Sequence, residues 1–274
     1  MNKQTLKRET RVQYLLPHQL HAEQKKLSLI YLPLAPLEWH GPHLVLGTDP
    51  INAEKSALAL AERTGGVVLP TLYMGTERER PPEMLESLGF KKDEYVVGMD
   101  FPKAKGLFKS FYFTEELFAM VLREHIEQCI NHGYKYVFIV NGHGAVNHNE
   151  VLKRLCMEFS NKYEGIKVAY SISFPEKALA AGLCSHAGID ETSLLMFYDE
   201  SFADLGKLPN RSQKLKYTDY SVVDSGGFEG KPGKGHTVSD NMDPRKANPE
   251  TGEKMFNDII EDLHKKVKDT FSLK

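Results

Sequence analysis

The sequence is poor in cysteine and tryptophan and carries almost no net charge. Its 274 residues contain one tryptophan and three widely spaced cysteines, an odd number that argues against a disulfide framework and for reduced thiols. The 35 Lys and Arg residues nearly balance the 37 Asp and Glu residues, which disfavours a nucleic-acid partner. No apolar run approaches the ~20 residues that cross a membrane. No apolar stretch follows the basic residues near Met1 either, so we expect no secretory signal and a cytoplasmic protein.

Strand-like and helix-like patterns alternate along the chain, which predicts an α/β fold with a mainly parallel central sheet. Apolar runs typical of strands that are covered on both faces lie at 29–37, 67–72, 136–140 and 168–174. Prolines in the first run favour an edge position or an irregular end. Periodic patterns predict helices at 51–63, 114–131, 149–161 and 249–268, the second with Thr114 as its N-cap.

We expect one domain over residues 1–274 with two long elaborations. Residues 75–112 carry charges, prolines and aromatic side chains, and we interpret them as an excursion over the surface or towards a neighbouring subunit. The aromatic residues from Phe108 to Phe113 are interpreted as core rather than as a substrate wall. Residues 224–236 form a glycine-rich loop without the G-K-[ST] ending of a phosphate loop, so we interpret it as a lid or an interface loop.

The strongest chemical signal follows the first predicted strand and includes Glu38, His40 and Asp49. If this segment is extended, Glu38 and His40 point to the same side and Trp39 points to the other. Carboxylate and imidazole groups together are ligands that a Zn or Mn centre selects, and a carboxylate can bridge two ions. The alternative is a capped loop that holds a hydrogen-bonded histidine.

Two further segments carry histidines beside glycines. His143 lies in an N-G-H-G turn directly after the strand at 136–140. In a parallel sheet this turn and the Glu38 segment share the rim at the carboxyl ends of the strands, where ligands bind in open α/β folds. In the third segment Glu191 begins an apolar helical run, so it is either a helix-start carboxylate or a metal ligand or general base. His186, just before it, is a candidate acid/base group or oxyanion partner.

Together these segments resemble the signature blocks of the creatininase (creatinine amidohydrolase) family. The matching blocks are E-x-H-G-P-H-L-x-L-G-T-D at 38–49, N-G-H at 141–143 and H-A-G-x-x-E-T-S at 186–193, and residues 243–253 are similar to the family's C-terminal block. The resemblance implies a three-layer α/β/α domain, a two-metal site and a homo-oligomer, commonly a hexamer. Family members hydrolyse cyclic amides, formamides or peptide bonds, and some act on ketone ring substrates.

The resemblance also implies two metal sites that share one carboxylate: Glu38, Asp49 and His143 hold one ion, and His40 and the bridging Asp49 hold the other. In creatininase the second ion also takes a glutamate two residues after the motif histidine, where this chain has Ala145. We assign Glu191 as its replacement, because it is the remaining carboxylate of the motifs. The expected ions are Zn, Mn or both, with Fe as a further candidate.

From the resemblance we expect a divalent-metal-dependent hydrolase that cleaves a C–N bond of a small cyclic amide or a related amide through a metal-bound hydroxide. His186, or Glu191 if it is not a ligand, would carry the proton to the leaving group. Creatinine itself is not expected, because creatininase holds its ring with tryptophans in later loops, whereas the only tryptophan here is Trp39. The alternatives are hydrolytic ring opening of a keto-inositol or keto-sugar and a non-catalytic scaffold, which Ala145 favours.

The other histidines and cysteines carry weaker signals. We expect His43 to contact a ligand or the turn from outside the metal site, and Lys234 or His236 of the glycine-rich loop to touch the substrate. Cys184, near His186, is interpreted as a packed thiol, because no second histidine and carboxylate support a nucleophile. The remaining histidines are assigned to the surface or to helix caps: His18, His21, His125, His132, His148 and His264.

Overall fold

The computed structural model describes residues 8–87, 91–94, 96–98, 100, 108–180, 185–216 and 237–273. The glycine-rich loop at 224–236, with Lys234 and His236, lies outside the described residues, as do Cys184 and part of the excursion at 75–112. What the sequence predicts for them stays a prediction, and so does the division of the chain into a single domain over residues 1–274.

The described residues form a parallel five-stranded sheet. Its strands are β1 (Leu29–Ala35), β2 (Val67–Val68), β3 (Leu72–Tyr73), β4 (Tyr136–Asn141) and β5 (Lys167–Ile172). The order across the sheet is β2-β1-β4-β5, and β3 also pairs with β1. β1 and β4 pair from Leu29 with Tyr136 to Leu34 with Asn141, so the loops that follow these two strands leave the sheet at the same edge.

The strand predicted at 67–72 is two short strands. β1 is a central strand, so its prolines do not mark an edge position, and it stops at Ala35, directly before Pro36. Pro70 lies between β2 and β3, and proline interrupts a ladder because it has no N–H to donate. β2 pairs with the part of β1 before Leu32, and β3 pairs with the part after Pro33. Pro33 therefore lies level with the interruption, and a central strand tolerates it there.

Eight α-helices surround the sheet in the described part of the chain. They are α1 (Pro17–Lys26), α2 (Thr48–Thr64), α3 (Pro82–Ser87), α4 (Glu115–Asn131), α5 (Val146–Lys162), α6 (Glu176–Ala180), α7 (Ile189–Tyr198) and α8 (Pro249–Phe271). Thr114 caps α4 as predicted, since its side chain accepts the Leu117 N–H at 3.3 Å. α2 and α5 each begin three residues before their predicted starts, which places Asp49 in the first turn of α2. None of the described helices is long and apolar enough to span a membrane.

The sheet separates two buried apolar clusters, and this arrangement confirms the predicted three-layer α/β/α fold. Alternate residues of each strand face opposite sides, so Tyr31 and Phe138 face one cluster while Leu32 and Ile139 face the other. Helices α2, α7 and α8 cover the first face, and α4 and α5 cover the second. This double coverage explains why β1 is buried at all seven positions and reads as a continuous apolar run.

Gly142 lets the loop after β4 approach the first turn of α2. A Cβ atom at this position would lie 2.7 Å from the Asp49 carbonyl carbon and still closer to its oxygen. Only glycine fits so close to another backbone segment. The contact fixes Asp49 beside the turn that carries His143. Gly142 thus lets two of the three motif segments lie next to each other.

We predict that Gly142→Ala lowers the free energy of unfolding by about 1–3 kcal/mol, because the added methyl group overlaps backbone atoms that cannot move independently of α2. Gly144→Ala is the matched control, since a Cβ there has no atom within 4 Å, and its effect should stay within about 1 kcal/mol. Urea denaturation of both variants without added metal measures the difference. Equal stabilities would show that the close approach does not constrain this loop.

Candidate metal centre

Two residues of the site, Glu38 and His40, lie in the loop that follows β1. β1 ends at Ala35, so these residues lie beyond the strand rather than at its end. The loop turns back instead: the Glu38 N–H donates to the Leu46 carbonyl at 3.1 Å, and Gly41 adopts a φ of 76°. The turn nevertheless directs both side chains inward, where they are 2% and 1% exposed.

Asp49 lies between two imidazoles. Its Oδ1 is 3.1 Å from His40 Nε2, and its Oδ2 is 3.2 Å from His143 Nδ1. One buried carboxylate therefore faces both histidines, each with a different oxygen atom. Its place in the first turn of α2 also suits a negative charge, because helix N-termini carry partial positive charge.

Glu38 and Glu191 extend this arrangement on opposite sides. Glu38 Oε2 is 3.1 Å from His143 Nδ1, and Glu191 Oε2 is 3.7 Å from His40 Nε2. Glu191 lies in the first turn of α7 and accepts the Ala187 N–H at 2.6 Å. Ala187 has a φ of 56°, a left-handed conformation that is uncommon outside glycine, and it turns the chain so that this N–H meets the carboxylate.

Three overlapping groups of side chains in the described residues have candidate ligand atoms that all lie within 4.8 Å of one another. They are Glu38, Asp49 and His143; His40, Asp49 and Glu191; and Glu38, His40 and His186. The structure thus brings together all five side chains that the sequence predicts as metal ligands. Ala145 only lines the neighbouring cavity wall.

The carboxylates of this cluster stabilise positive charge on the groups beside them. Burial opposes a charge on His40, but Asp49 and Glu191 outweigh it and raise the pKa of His40 to about 10. Burial opposes a charge on His143 as well, yet Glu38 and Asp49 raise its pKa well above the ordinary value. Burial, with the Asp49 charge in addition, raises the pKa of Glu191 to about 8. Without an ion, protons on His40, His143 and Glu191 therefore offset the negative charge of the carboxylates. Bound cations could offset it instead.

The orientation of His40 suits a cation. Its Nδ1 is 3.0 Å from the Glu38 carbonyl oxygen, which can only accept a hydrogen bond, so in the neutral ring Nδ1 carries the proton. Nε2 then presents its lone pair towards Asp49 and Glu191. This buried Nε2 has no hydrogen-bond partner among the described residues. Carboxylate oxygens and imidazole nitrogens are a donor set that Zn and Mn accept, so these residues fit divalent ions.

His186 and His43 lie beside the ligand cluster. The His186 ring packs on His40 with centroids 4.2 Å apart, and its Nε2 is 2.6 Å from the Trp39 carbonyl oxygen. Burial, with the His40 charge in addition, lowers the pKa of His186 to about 4. His43 Nε2 is 3.2 Å from Thr192 Oγ1 on α7, and His43 belongs to none of the three ligand groups. Its pKa falls to about 3, through burial first and the His40 charge second.

Tyr112 contacts the site, although no sequence motif indicates a role for it. Its hydroxyl donates a short hydrogen bond to Glu38 Oε1, across 74 positions of the sequence. Burial and the Glu38 charge raise the pKa of Tyr112 well above its ordinary value, so the phenol stays a donor. The tyrosine lies in the excursion, whose described part contacts the loop after β1 rather than only running over the surface. No motif spacing could have indicated this contact.

One prediction about aromatic side chains outside the motifs is wrong in part, and another is wrong. Phe108 and Phe111 are 54% and 49% exposed, so they are not core, whereas Phe113 packs against the second apolar cluster. Phe111 pairs with Leu37 through its backbone in an extended segment, and its side chain points outward while its neighbours point inward. His148, predicted at the surface or at a helix cap, is 0% exposed. Because α5 begins at Val146, His148 lies in its first turn and stacks on Phe118 of α4 with centroids 4.5 Å apart.

A cavity of about 420 Å³ opens over the carboxylates and histidines. Ile172, Phe174 and Leu179 form an apolar part of its wall, and Arg78, Arg80 and Asn147 form a polar part. Arg80 is held in place by Glu77, at 3.2 Å, and by the Gly98 carbonyl oxygen, at 3.0 Å. The volume suits a small molecule, and charged groups are concentrated at the ligand cluster.

The C-terminal block at 243–253 lies apart from this cavity and has a structural role. Asp243 and Arg245 are both 6% exposed and form an ion pair at 2.6 Å. Arg245 also donates to the carbonyl oxygens of Pro209, Asn210 and Gln213. The block therefore fixes the chain around 209–213 and supplies no candidate ligand.

Comparisons with known proteins agree with the motifs. The family model Creatininase: Creatinine amidohydrolase matches residues 14–89 and 94–267. A crystal structure of creatinine amidohydrolase (creatininase) is similar at a TM-score of 0.67 and 19% identity over 96% of this chain and 98% of that chain. A protein from Bacteroides fragilis NCTC 9343, provisionally described as a creatinine amidohydrolase, gives 0.66 and 20% over 99% and 98%.

A manganese creatininase structure gives a TM-score of 0.67 at 18% identity over 96% of this chain and 99% of that chain. A search of curated proteins found no match. At these identities the solved structures show the shared fold, while the family model spans nearly the whole chain. The chain therefore belongs to the creatininase family and is a metal-dependent amidohydrolase.

Proposed function

We propose that the protein hydrolyses a C–N bond of a small cyclic amide or a related amide and that it uses two divalent ions to do so. The observation that carries this proposal is the position of Asp49, whose two oxygen atoms face two different histidines at 3.1 and 3.2 Å. A carboxylate that offers one oxygen to each side is suited to bridge two ions. Asp49 also lines the cavity of about 420 Å³.

We assign the ligands in two sets that share Asp49. Glu38, Asp49 and His143 would hold one ion, and His40, Asp49 and Glu191 would hold the other. Glu191 supplies the carboxylate that Ala145 cannot, from α7 rather than from the loop after β4. The ions are Zn or Mn, in line with the forms of creatininase whose structures are described as "Mn" and "Zn-Zn type".

Bound divalent ions would polarise the substrate carbonyl group and lower the pKa of water at the site. His186 is placed to move the proton, because its Nε2–H is fixed on the Trp39 carbonyl oxygen and its Nδ1 is left as the accepting atom. His186 also lines the cavity. It would take a proton from the attacking water at Nδ1 and return it to the amide nitrogen as the C–N bond breaks.

The cavity wall supports a small, partly polar amide. Its apolar part can pack against a ring or a short chain, while Arg78, Arg80 and Asn147 offer hydrogen bonds to carbonyl or acidic groups. Trp39 packs in the core at 9% exposure and is not among the described residues that line the cavity. This supports a substrate other than creatinine.

The competing functions have less support. Hydrolytic ring opening of a keto-inositol or keto-sugar is favoured neither by the family match nor by the similar structures. A non-catalytic scaffold was favoured only by Ala145, and the position of Glu191 beside His40 offers a carboxylate in its place. A homo-oligomeric state, such as a hexamer, and a cytoplasmic location stay predictions.

We predict that Glu191→Gln binds about one divalent ion per chain where the parent protein binds about two, because the amide removes one anionic ligand from the His40 set only. Asp190→Asn is the matched control: its carboxylate accepts from the Ser185 N–H, at 3.3 Å, instead of facing the histidines. Metal analysis after dialysis against Mn²⁺ or Zn²⁺ gives the count. Two ions on Glu191→Gln would remove Glu191 from the ligand set.

We predict that the metal-loaded protein turns over members of a panel of lactams, hydantoin-like rings and formamides, and that Asp49→Asn is inactive because it disrupts both ion sites. His186→Asn should keep its metal but lose about 10²–10⁴-fold in kcat, the usual worth of a placed proton-transfer group. His264→Asn, which alters a histidine bound to Thr64 far along α8, should leave kcat unchanged.

The same panel includes keto-inositols, so the outcomes separate the alternatives. Turnover of a keto-inositol with none of the amides would contradict the proposed bond. Undiminished turnover by a folded, metal-free Asp49→Asn protein would contradict the proposed site.

A further inference from the structure

The two oxygen atoms of Glu38 have different partners. Oε1 accepts the hydrogen bond from the Tyr112 hydroxyl, while Oε2 lies 3.1 Å from His143 Nδ1 and 3.9 Å from His40 Nε2. Glu38 is 2% exposed, so water cannot readily replace either partner. The phenol thus holds one oxygen and leaves the other facing the candidate ligands.

The part of the excursion that carries Tyr112 packs on the loop after β1, and this packing holds Tyr112 in place. The Phe111 N–H donates to the Leu37 carbonyl at 2.8 Å, and the Trp39 N–H donates to Ser110 Oγ at 2.9 Å. These two bonds flank Glu38 in sequence and fix the strand-like segment that carries Tyr112. Tyr112 therefore reaches Glu38 from a backbone segment that is hydrogen-bonded to both sequence neighbours of Glu38.

Further contacts hold the segment that carries Tyr112 in place. Ser110 Oγ donates to Asp100 Oδ1 at 2.6 Å, so the serine is oriented by a carboxylate. Gly98, at a φ of 62°, packs on the phenol, and a Cβ there would lie 2.6 Å from the Tyr112 ring carbon Cζ. The Gly98 carbonyl oxygen accepts from Arg80 Nε of the cavity wall. The position of the hydroxyl is thus determined by packing as well as by its hydrogen bond.

We propose that Tyr112 is a positioning residue for the metal ligand Glu38, an inference that rests on the two-ion function proposed above. Its O–H occupies Oε1, so Glu38 offers a cation the single atom Oε2, in the orientation that also faces His143. Without the hydroxyl the carboxylate can rotate about its last bond, and a buried oxygen loses its donor. Groups that orient ligands in this way typically contribute 10–100-fold to metal affinity.

The inference predicts a selective effect. Tyr112 contacts Glu38, which we assign to the ion held with Asp49 and His143, and it makes no described hydrogen bond to Glu191 or His40, which we assign to the other ion. Removal of the hydroxyl should therefore weaken one ion about 10–100-fold and leave the other nearly unchanged. A tyrosine with only a packing role would weaken both ions together, or neither.

The test is a competition titration of Mn²⁺ against a chelator, with the parent protein, Tyr112→Phe and the control Tyr14→Phe. Tyr14 is 62% exposed and its ring packs against Arg11, so its hydroxyl can be removed without disturbing the site. Melting temperatures of the metal-free proteins accompany the titration. We expect two binding steps in all three proteins, with only one step weakened, and only in Tyr112→Phe.

The outcomes separate this inference from the function on which it rests. A parent protein that binds neither Mn²⁺ nor, in the same titration, Zn²⁺ contradicts the proposed function. Two unchanged steps in Tyr112→Phe overturn the positioning role while leaving the proposed function intact. Equal weakening of both steps with a lowered metal-free melting temperature also overturns it, since that pattern shows a general structural role.

Discussion

The structure depends on one electrostatic constraint: in a largely buried site, Asp49 has candidate ligand atoms within 4.8 Å of those of Glu38 in one group and of those of Glu191 in another. Buried charges are costly unless they are paired, so the site must contain cations. His40 and His143 meet this need by protonation when no ion is bound, which is why their pKa values rise despite burial. Divalent ions would supply the same positive charge, and they would also polarise the carbonyl group of the amide for hydrolysis.

The fold brings the three separate segments that carry these charged side chains to one edge of the sheet. β1 and β4 are paired in register, so their following loops emerge together, and Gly142 admits the first turn of α2 between them. α7 brings Glu191 from the opposite side, with the Ala187 N–H fixing its carboxylate. The excursion then covers the loop after β1 and supports Glu38 through Tyr112. Stability and function are thus coupled at the same few contacts.

Apolar runs and helix periods predicted the α/β fold with a mainly parallel sheet, and the compact motifs indicated a metal site. The three-layer arrangement and the ligand set came from the resemblance to the creatininase family, with Glu191 added as the remaining carboxylate of the motifs. Prediction failed where the determining contact is distant. Tyr112 meets Glu38 only through the pairing of two irregular segments, and the burial of His148 depends on where α5 begins. The prolines of the first apolar run left an edge position or an irregular end open, because the interruption opposite Pro33 lies on a different segment and cannot be seen from β1 alone. Such outcomes are set by tertiary register, which local patterns do not encode.

The proposed function requires that Asp49 join two ions, each completed by a different pair of side chains. Anomalous diffraction from crystals grown with Mn²⁺ would locate these ions. We expect two peaks on opposite sides of the Asp49 carboxylate, one beside Glu38 and His143 and one beside His40 and Glu191. A single peak, or a second peak that does not contact Glu191, would contradict this expectation.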